Sequence, residues 1–139
     1  MKIFFDGGCR PNPGAMEVAV VARGQVYRRT GLGCGSSSEA EWAALLHALE
    51  IARTLGETDI ILLGDSATIV RQAKGEWTCR SAELRPYLAR FREQAPHFRR
   101  LRVRHIRRAQ NLAGIALERA RAYESGAVNS NRGATSPPR

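Results

Sequence analysis

The stretch FFDGGCRPNPGA, residues 4–15, decides how the chain is organised, because it places a carboxylate, Asp6, directly behind a run of apolar residues. A charged side chain at the edge of a core is costly unless a cation or a metal ion pairs with it. Lys2 to Phe5 predicts a short strand, and GGCRPNPG predicts a turn, since glycine permits positive φ and proline fixes φ. The position of Asp6 therefore predicts a partner for its charge.

The pattern after this turn predicts two more strands and then alternating helices and strands. Met16 to Ala22 and Gln25 to Leu32 form a hairpin pattern, and the segment that follows the serines at 36–38 has helical periodicity up to Gly56. The later segments are predicted as a buried strand at 59–63, helices at 67–73 and 82–95, a strand at 101–106 and a helix at 111–123. This βββαβααβα order predicts an α/β protein with a mixed sheet flanked by helices.

Length and composition bound the organisation of the chain. Its 139 residues, 43% of them hydrophobic, predict one domain over residues 1–124, and the Gly/Pro/Ser-rich segment 125–139 is expected to be a disordered tail. No apolar run is long enough for a membrane helix and no signal-type segment is recognised, so a soluble, cytoplasmic protein is expected. A monomer is also expected. Three widely spaced cysteines favour reduced thiols over a disulfide framework.

The charge is concentrated in one half of the chain. Residues 1–70 hold 6 Lys and Arg against 8 Asp and Glu, whereas residues 71–139 hold 16 against 5. A local excess of basic residues is typical of proteins that bind polyanions, because clustered cations displace the counterions of phosphates. The alternative is a solvated basic surface without a specific partner.

Two further carboxylates stand where apolar residues are expected. Glu41 lies at the centre of the apolar stripe of the first predicted helix, whereas Glu39 and Glu50 lie on the opposite face. Asp65 follows the buried strand DIILLG, where ligand sites of α/β sheets collect, although it is equally suited to cap the next helix. A site of carboxylates without His or Cys ligands suits Mg²⁺ or Mn²⁺.

Taken together, these segments resemble a type 1 ribonuclease H. The similarity rests on FFDGGCRPNPGA, SSSEAEWAALLHALEIA, ILLGDSATIVRQAKGEW, ELRPYLARF and RHIRRAQN, which cover residues 1 to about 123 in the order and spacing of the family. The resemblance implies a ribonuclease H-like fold, with a five-stranded mixed sheet in the order 3-2-1-4-5. It also implies metal-dependent cleavage of the RNA strand of RNA-DNA hybrids, leaving 5′-phosphate and 3′-hydroxyl ends.

The resemblance assigns roles by motif position. Asp6, Glu41 and Asp65 match three of the family's catalytic, metal-binding carboxylates, which would hold two divalent ions about 3.5 to 4 Å apart. His105 matches a histidine proposed to assist proton transfer or product release. An ordinary half-buried strand histidine is the alternative for His105.

The family's fourth acidic residue is missing. It normally stands four positions after an Asn that opens the last helix, and counting from Asn111 this position is Ile115. Three alternatives stay open: Asn111 supplies an amide oxygen as a weak catalytic metal ligand, Glu118 reaches in from the next turn, or the second metal has one ligand fewer. We prefer Asn111 because it is nearest the start of the helix, and expect weaker metal binding or a preference for Mn²⁺.

The resemblance also places eight substrate-binding residues. The glycine-rich turn would approach the RNA strand, two serines would bind a DNA phosphate, and Trp77 and Arg80 would pack against the DNA strand. The first six positions are Gly8, Cys9, Arg10, Asn12, Ser36 and Ser38. Simple turn chemistry and a core role for Trp77 are the alternatives.

Two rival functions remain compatible with the sequence. A nuclease of the same fold that acts on DNA would share the carboxylates. A catalytically impaired module that binds hybrids would explain the missing fourth acid. Three acids on core-facing positions argue against an impaired module, because without metal they would only destabilise the fold.

Overall fold

A computed structural model describes residues 1–130 of the chain, with side chains to Glu124. The elements are β1 (Lys2–Arg10), β2 (Gly14–Ala22), β3 (Gln25–Arg29), β4 (Cys34–Gly35), α1 (Ser37–Thr54), β5 (Asp59–Gly64), α2 (Ala67–Ala73), α3 (Arg85–Gln94), β6 (Arg100–His105) and α4 (Leu112–Ser130). Within this range no helix has the length and apolar character needed to cross a membrane.

The strands form one mixed sheet in the order β3-β2-β1-β5-β6, and the two-residue β4 pairs with β2 beside this path. β1, β2 and β3 are antiparallel neighbours, whereas β5 lies parallel to β1 and to β6. The predicted fold class is confirmed, and the five main strands follow the predicted order. The sheet has six strands rather than five because Cys34 and Gly35 pair with the start of β2 on the way to α1.

The first strand is longer than its sequence predicted. β1 continues past Phe5 to Arg10, which pairs with Ala15, so that the turn shrinks to residues 11–13. The prediction of a turn beginning at Gly7 was wrong because the two glycines serve the packing of a strand instead of a reversal of the chain. A Cβ on Gly7 would lie 2.1 Å from the carbonyl oxygen of Ala40. Only glycine therefore lets β1 and α1 approach this closely.

Alternation along the strands divides the core into two layers. Ile3 and Phe5 of β1 face the main core, which α1 covers, while Phe4 packs in a smaller cluster under α4. Asp6 has the same parity as Phe4, so the strand directs it toward the α4 face. The sheet thus places the first carboxylate under the last helix.

The first helix begins and ends as predicted. Ser36 is the N-cap, its hydroxyl accepts from the Glu39 N–H, and Glu39 accepts from the Ser36 N–H, which completes a capping box. Gly56 follows the helix with φ of 73°. By contrast, α3 begins at Arg85 and not at 82, because Pro86 occupies its first turn, where proline is favoured.

The last helix is longer than predicted. α4 extends to Ser130 and does not end at Tyr123. The predicted tail, 125–139, lies largely outside the described residues and stays a prediction. Leu112 and Tyr123, two large apolar side chains of this helix, are 47% and 76% exposed. The buried stripe is narrow because α4 rests on the sheet mainly through Ala113, Gly114 and Leu117.

Candidate metal centre

Three carboxylates from three separate elements meet at one end of the sheet. Asp6 lies on β1, Glu41 in the first turns of α1, and Asp65 immediately after β5. One oxygen from each lies within 4.8 Å of the other two. Phe4 pairs with Leu63 across parallel strands, and continuing this register sets Asp6 level with Asp65. The fold therefore brings together the three acids that were predicted from the sequence to form a site.

Glu41 reaches this point because α1 lies so close to β1. The backbone N–H of Gly7 donates to Glu41 Oε1 at 3.3 Å. The same glycine permits the close packing of Ala40, the residue before Glu41. Gly7 is a site residue that the sequence analysis treated only as turn chemistry, and a glycine inside a strand pattern was the available signal for a close backbone approach.

The cluster is electrostatically unfavourable as it stands. Burial, reinforced by the negative charge of Asp65, raises the pKa of Asp6 to about 7, although Arg108 and Arg121 partly oppose the rise. Burial is likewise the main reason that the pKa of Glu41 rises to about 9, with Asp6 and Asp65 adding repulsion. Asp6 is 6% exposed, and its buried Oδ1 has no hydrogen-bond partner among the described residues. An oxygen-only donor set with an unpaired buried oxygen fits a hard divalent cation.

Asn111 lies beside the cluster and is completely buried. Its amide nitrogen donates to Asp65 Oδ2 at 2.9 Å and to the carbonyl oxygen of Phe5 at 3.0 Å, while its oxygen accepts from the Ala113 N–H at 3.1 Å. The nitrogen thus faces the carboxylates, and the oxygen caps the first turn of α4. This arrangement favours a positioning role for Asn111, which orients Asp65, and argues against its expected role as a metal ligand.

The first turn of α4 brings no carboxylate to the cluster. A Cβ on Gly114 would lie 3.4 Å from Asp6 Oδ2 and 3.7 Å from Asp65 Oδ2, so the helix backbone itself borders the site. Ile115 is half-buried, and Glu118 is exposed but close enough for its charge to raise the pKa of Asp6. Gly114 was not singled out from the sequence, although a glycine inside a helix pattern is itself a sign of close packing.

His105 ends β6 opposite Gly64, the residue before Asp65. Its side chain is exposed. The alternative of a half-buried strand histidine is therefore wrong. The register places His105 at the sheet end that carries Asp65, without a described contact to the carboxylates.

The expected RNA-facing turn is held against the start of α1. The Ser37 N–H donates to Asn12 Oδ1 at 3.1 Å, and the Asn12 amide nitrogen donates to the Ser37 hydroxyl at 3.1 Å. Cys9 donates through its thiol to the same Asn12 oxygen at 3.5 Å. Arg10 and Ser38, also expected at the substrate, are exposed at the end of β1 and in the first turn of α1.

The expected DNA-facing pair lies between α2 and α3. Trp77 is 46% exposed and Arg71 stacks over its ring at 4.9 Å, whereas the tryptophan of the core is Trp42. A core role for Trp77 is therefore wrong. Arg80 is exposed, and its carbonyl oxygen accepts from Arg85.

A paired carboxylate lies on the neighbouring strand. Glu17 of β2 stands opposite Gly8 and forms ion pairs with Arg28 at 3.0 Å and with Arg121 of α4. Hydrogen bonds from these two arginines hold the pKa of Glu17 below its usual range, against the effect of burial. Sequence reasoning missed Arg121, because its partner lies more than 100 positions away and no local spacing links them.

Comparison with known proteins places the chain in a family. A family model described as reverse transcriptase-like matches residues 4–119. Ribonuclease HI of Halobacterium salinarum is 35% identical over 119 residues, which cover 82% of this chain and 60% of the relative. The bifunctional protein Rv2228c of Mycobacterium tuberculosis is 29% identical over 119 residues, covering 80% of this chain and 33% of that protein. The chain thus spans less than two thirds of the length of these relatives.

Solved structures agree with this placement. RNase H1 from Halobacterium salinarum NRC-1 superposes with a TM-score of 0.76 at 34% identity, covering 84% of this chain and 92% of that chain. The N-terminal RNase H domain of Rv2228c gives 0.75 at 28% identity, with 88% and 96% covered. LC11-RNase H1, solved in complex with an RNA/DNA hybrid, gives 0.71 at 27% identity, with 84% and 91% covered. The family match over most of the chain and these superpositions show that the chain belongs to the type 1 ribonuclease H family, within the group described as reverse transcriptase-like.

Proposed function

We propose that the chain hydrolyses the RNA strand of RNA-DNA hybrids, using divalent metal ions held by Asp6, Glu41 and Asp65. The observation that carries this proposal is the cluster of three carboxylates within 4.8 Å, one of which has an unpaired buried oxygen. Family membership supports the reaction, and the hybrid bound to LC11-RNase H1 supports the substrate class. Because one chain supplies all three acids, a monomer is sufficient as the functional unit.

The residues of this chain divide the work at the site. Bound Mg²⁺ or Mn²⁺ would supply an activated water and stabilise the charge on the leaving oxygen. Asp6 would offer the central ligand, because it lies on β1 between the helix that carries Glu41 and the strand that precedes Asp65. Gly7 orients Glu41 and Asn111 orients Asp65 through the hydrogen bonds described above. Such outer hydrogen bonds fix the direction of metal ligands and strengthen binding.

His105 is proposed to exchange a proton with the leaving group or to assist product release. Its exposed ring at the end of β6 supports such a role, since a solvent-facing imidazole is free to move between substrate and water. Its action would be separate from metal binding. A His105→Ala variant is therefore expected to lower the turnover number while leaving divalent-ion affinity unchanged.

The proposed hybrid surface runs from the β1–β2 turn over the start of α1 to Trp77. The 2′-hydroxyls of the RNA strand distinguish a hybrid from duplex DNA, and short polar groups near Gly8, Cys9, Arg10 and Asn12 are suited to contact them. Ser36 and Ser38 lie at the N-terminus of α1, where a phosphate is favoured. Trp77 and Arg80 offer an exposed ring and a cation for the DNA strand.

One observation favours a second candidate, a module that binds hybrids without cutting them. The first turn of α4 borders the carboxylates with Gly114 and contributes no acid there. A site with three carboxylates attracts cations less strongly than a site with four. If the affinity falls below the available metal concentration, binding would persist without hydrolysis.

Cleavage of a labelled RNA-DNA hybrid tests both candidates. The hybrid is incubated beside matched duplex RNA and duplex DNA, in Mg²⁺ and in Mn²⁺, with Asp6→Asn as the control. Cutting of the hybrid alone, lost in the control, is the expected result. Hybrid binding without cutting in either metal would establish the second candidate, and cutting of duplex DNA would overturn the assigned substrate.

A further inference from the structure

A cavity of about 670 Å³ lies away from the carboxylates, between the C-terminal half of α1, α3 and the sheet. Its volume is in the range of small-molecule sites. Glu50, which lines it, follows Glu41 by nine residues on α1, a separation of about 13 Å along the helix axis. The end of the cavity at Glu50 and Arg53 therefore lies away from the candidate metal centre and from the proposed hybrid surface at the start of α1.

Arginines surround this cavity. Arg29 of β3, Arg53 of α1 and Arg90 of α3 all line it. Arg29 is neutralised by Glu50, whose Oε1 lies 2.9 Å from its Nη2. Arg53 and Arg90 have no ion-pair partner among the described residues. Both arginines are exposed, and each guanidinium group is free to bind an acidic group, which a planar donor fork suits.

About half of the cavity wall is apolar. Val18, Leu32, Ala43 and Leu46 contribute aliphatic surface, and Tyr87 adds an aromatic ring. An inorganic anion would contact the arginines but leave this surface in water. A ligand with an organic body would cover it and gain from the removal of apolar area from water.

A buried histidine beside the cavity indicates a third feature of the ligand. His47 lines the cavity, and its side chain is only 5% exposed. Its Nδ1 lies 3.3 Å from Glu50 Oε1, while its buried Nε2 has no hydrogen-bond partner among the described residues. Because an ionised carboxylate only accepts, Nδ1 carries the proton and Nε2 is left as an acceptor. Buried polar atoms without a partner are rare in folded proteins, so Nε2 calls for a donor.

We propose that this cavity binds a small organic anion that has an apolar body and an O–H or N–H donor. The acidic group pairs with Arg53 and Arg90, the body packs against Leu32 and Leu46, and the donor binds His47 Nε2 once the ring turns to open this atom, which is closed to solvent in the free protein, toward the cavity. The site is independent of the proposed nuclease reaction. The three groups that recognise the ligand come from α1 and α3, so that binding also ties these two helices together.

Titration of the full chain with 4-hydroxybenzoate, followed by amide and imidazole NMR shifts at low salt, tests the proposal. This probe has a carboxylate, a ring and a hydroxyl donor. Benzoate lacks the donor, and phenol lacks the carboxylate. We expect saturable binding with shifts at residues 46–53 and 87–90, at least tenfold weaker binding of phenol, and weaker binding of benzoate.

Variants assign the contacts. Arg53→Gln combined with Arg90→Gln is expected to weaken 4-hydroxybenzoate binding at least tenfold, whereas Arg99→Gln, an exposed arginine outside the cavity, leaves it unchanged. His47→Phe is expected to abolish the preference for 4-hydroxybenzoate over benzoate. Because His47 is buried, its variant is used only if its thermal midpoint stays within a few degrees of the parent, and the arginine variants stand without it.

Three outcomes would overturn the proposal. If phenol bound as tightly as 4-hydroxybenzoate, the cavity would recognise only apolar surface and not the carboxylate. An equal loss of 4-hydroxybenzoate affinity in Arg99→Gln and in the double variant would show that the anion is attracted to the basic protein in general and not to this cavity. Shifts spread over the surface, without saturation, would show that no site exists.

Discussion

Glu17 on β2 and the carboxylate cluster around Asp6 on the neighbouring strand β1 have opposite electrostatic surroundings. Glu17 on β2 is held by Arg28 and Arg121, which keep its pKa below the usual range. Asp6 on β1 shares its surroundings with two other acids, and its pKa rises to about 7. The chain thus neutralises a carboxylate where one is needed for structure, and leaves the cluster unpaired. A cluster kept at a cost in stability is typical of a site that waits for a ligand.

The largest expected effect is on activity, in Asp6→Asn. The variant keeps the shape of the side chain but loses the charge, and cleavage should fall by more than about 100-fold, since even outer partners of metal ligands cost about 10 to 100-fold. In EDTA the same variant should unfold at a higher temperature, because the repulsion with Glu41 and Asp65 is removed. Cleavage and calorimetry measure the two effects. A lower midpoint in EDTA would show that Asp6 is paired after all.

The second effect tests the close approach that assembles the cluster. In Gly7→Ala the new Cβ meets the Ala40 carbonyl, 2.1 Å away, so α1 must move and carry Glu41 with it. Overpacking of this kind costs about 1 to 3 kcal/mol, and urea unfolding measures it. Gly8→Ala is the matched control. Its Cβ would meet only the flexible end of the Arg121 side chain, at 2.7 Å. Equal destabilisation by both substitutions would contradict the special role of Gly7.

Glu17→Gln is expected to have the opposite effects to Asp6→Asn, lowering stability while leaving cleavage nearly unchanged. Removing this charge leaves Arg28 and Arg121 partly buried without their shared partner, and the free energy of unfolding should fall by about 1 to 3 kcal/mol. The variant should cleave hybrid at close to the parent rate below its melting temperature, since Glu17 touches none of the three acids. Urea unfolding and the cleavage assay give the two numbers. A loss of activity as large as that of Asp6→Asn would join the two groups into one functional unit.

The raised pKa of Asp6 predicts how the stability of the protein depends on pH. The pKa of Asp6 is higher in the folded state than its unfolded value near 4, so the folded protein holds a proton that unfolding releases. In EDTA, the stability due to Asp6 is therefore greatest below pH 4 and is lost as the pH rises toward 7. Relative to Asp6→Asn, the thermal midpoint of the parent should fall by at least about 3 °C between pH 4 and pH 7. A constant difference would rule out a raised pKa.

The smallest effect is expected from restoring an acid on α4. Ile115→Asp adds a charge at the family's fourth position, and the apparent affinity for Mg²⁺ should increase about tenfold. Calorimetric titration of the metal, without substrate, measures this affinity. Gly114→Asp is an informative companion, because the Cβ at 114 points at Asp6 and Asp65. Equal affinity in the parent and the Ile115→Asp variant would mean that the missing acid does not weaken the site.

The sequence predicted the parts of the site that local periodicity encodes. Glu41 stood out because it interrupts an apolar stripe at helical spacing, and Asp65 because it follows a buried strand. The length of β1 was mispredicted because Gly7 and Gly8 have the composition of a turn, whereas their purpose, space for Ala40 and Arg121, depends on contacts far along the chain. The hydrogen bonds of Asn111 and the Glu17–Arg121 pair are equally long-range, and no local pattern reports them.

The hydrogen bond from Asn111 to the Phe5 carbonyl joins residues 106 positions apart. Chains leave the ribosome from the N-terminus, so β1 is synthesised well before α4. A nascent chain that has completed α2 already contains all three acids, yet it lacks Asn111, which orients Asp65, and α4, which borders Asp6. A polypeptide that stops short of α4, although it carries every carboxylate, therefore lacks the hydrogen bond that orients Asp65.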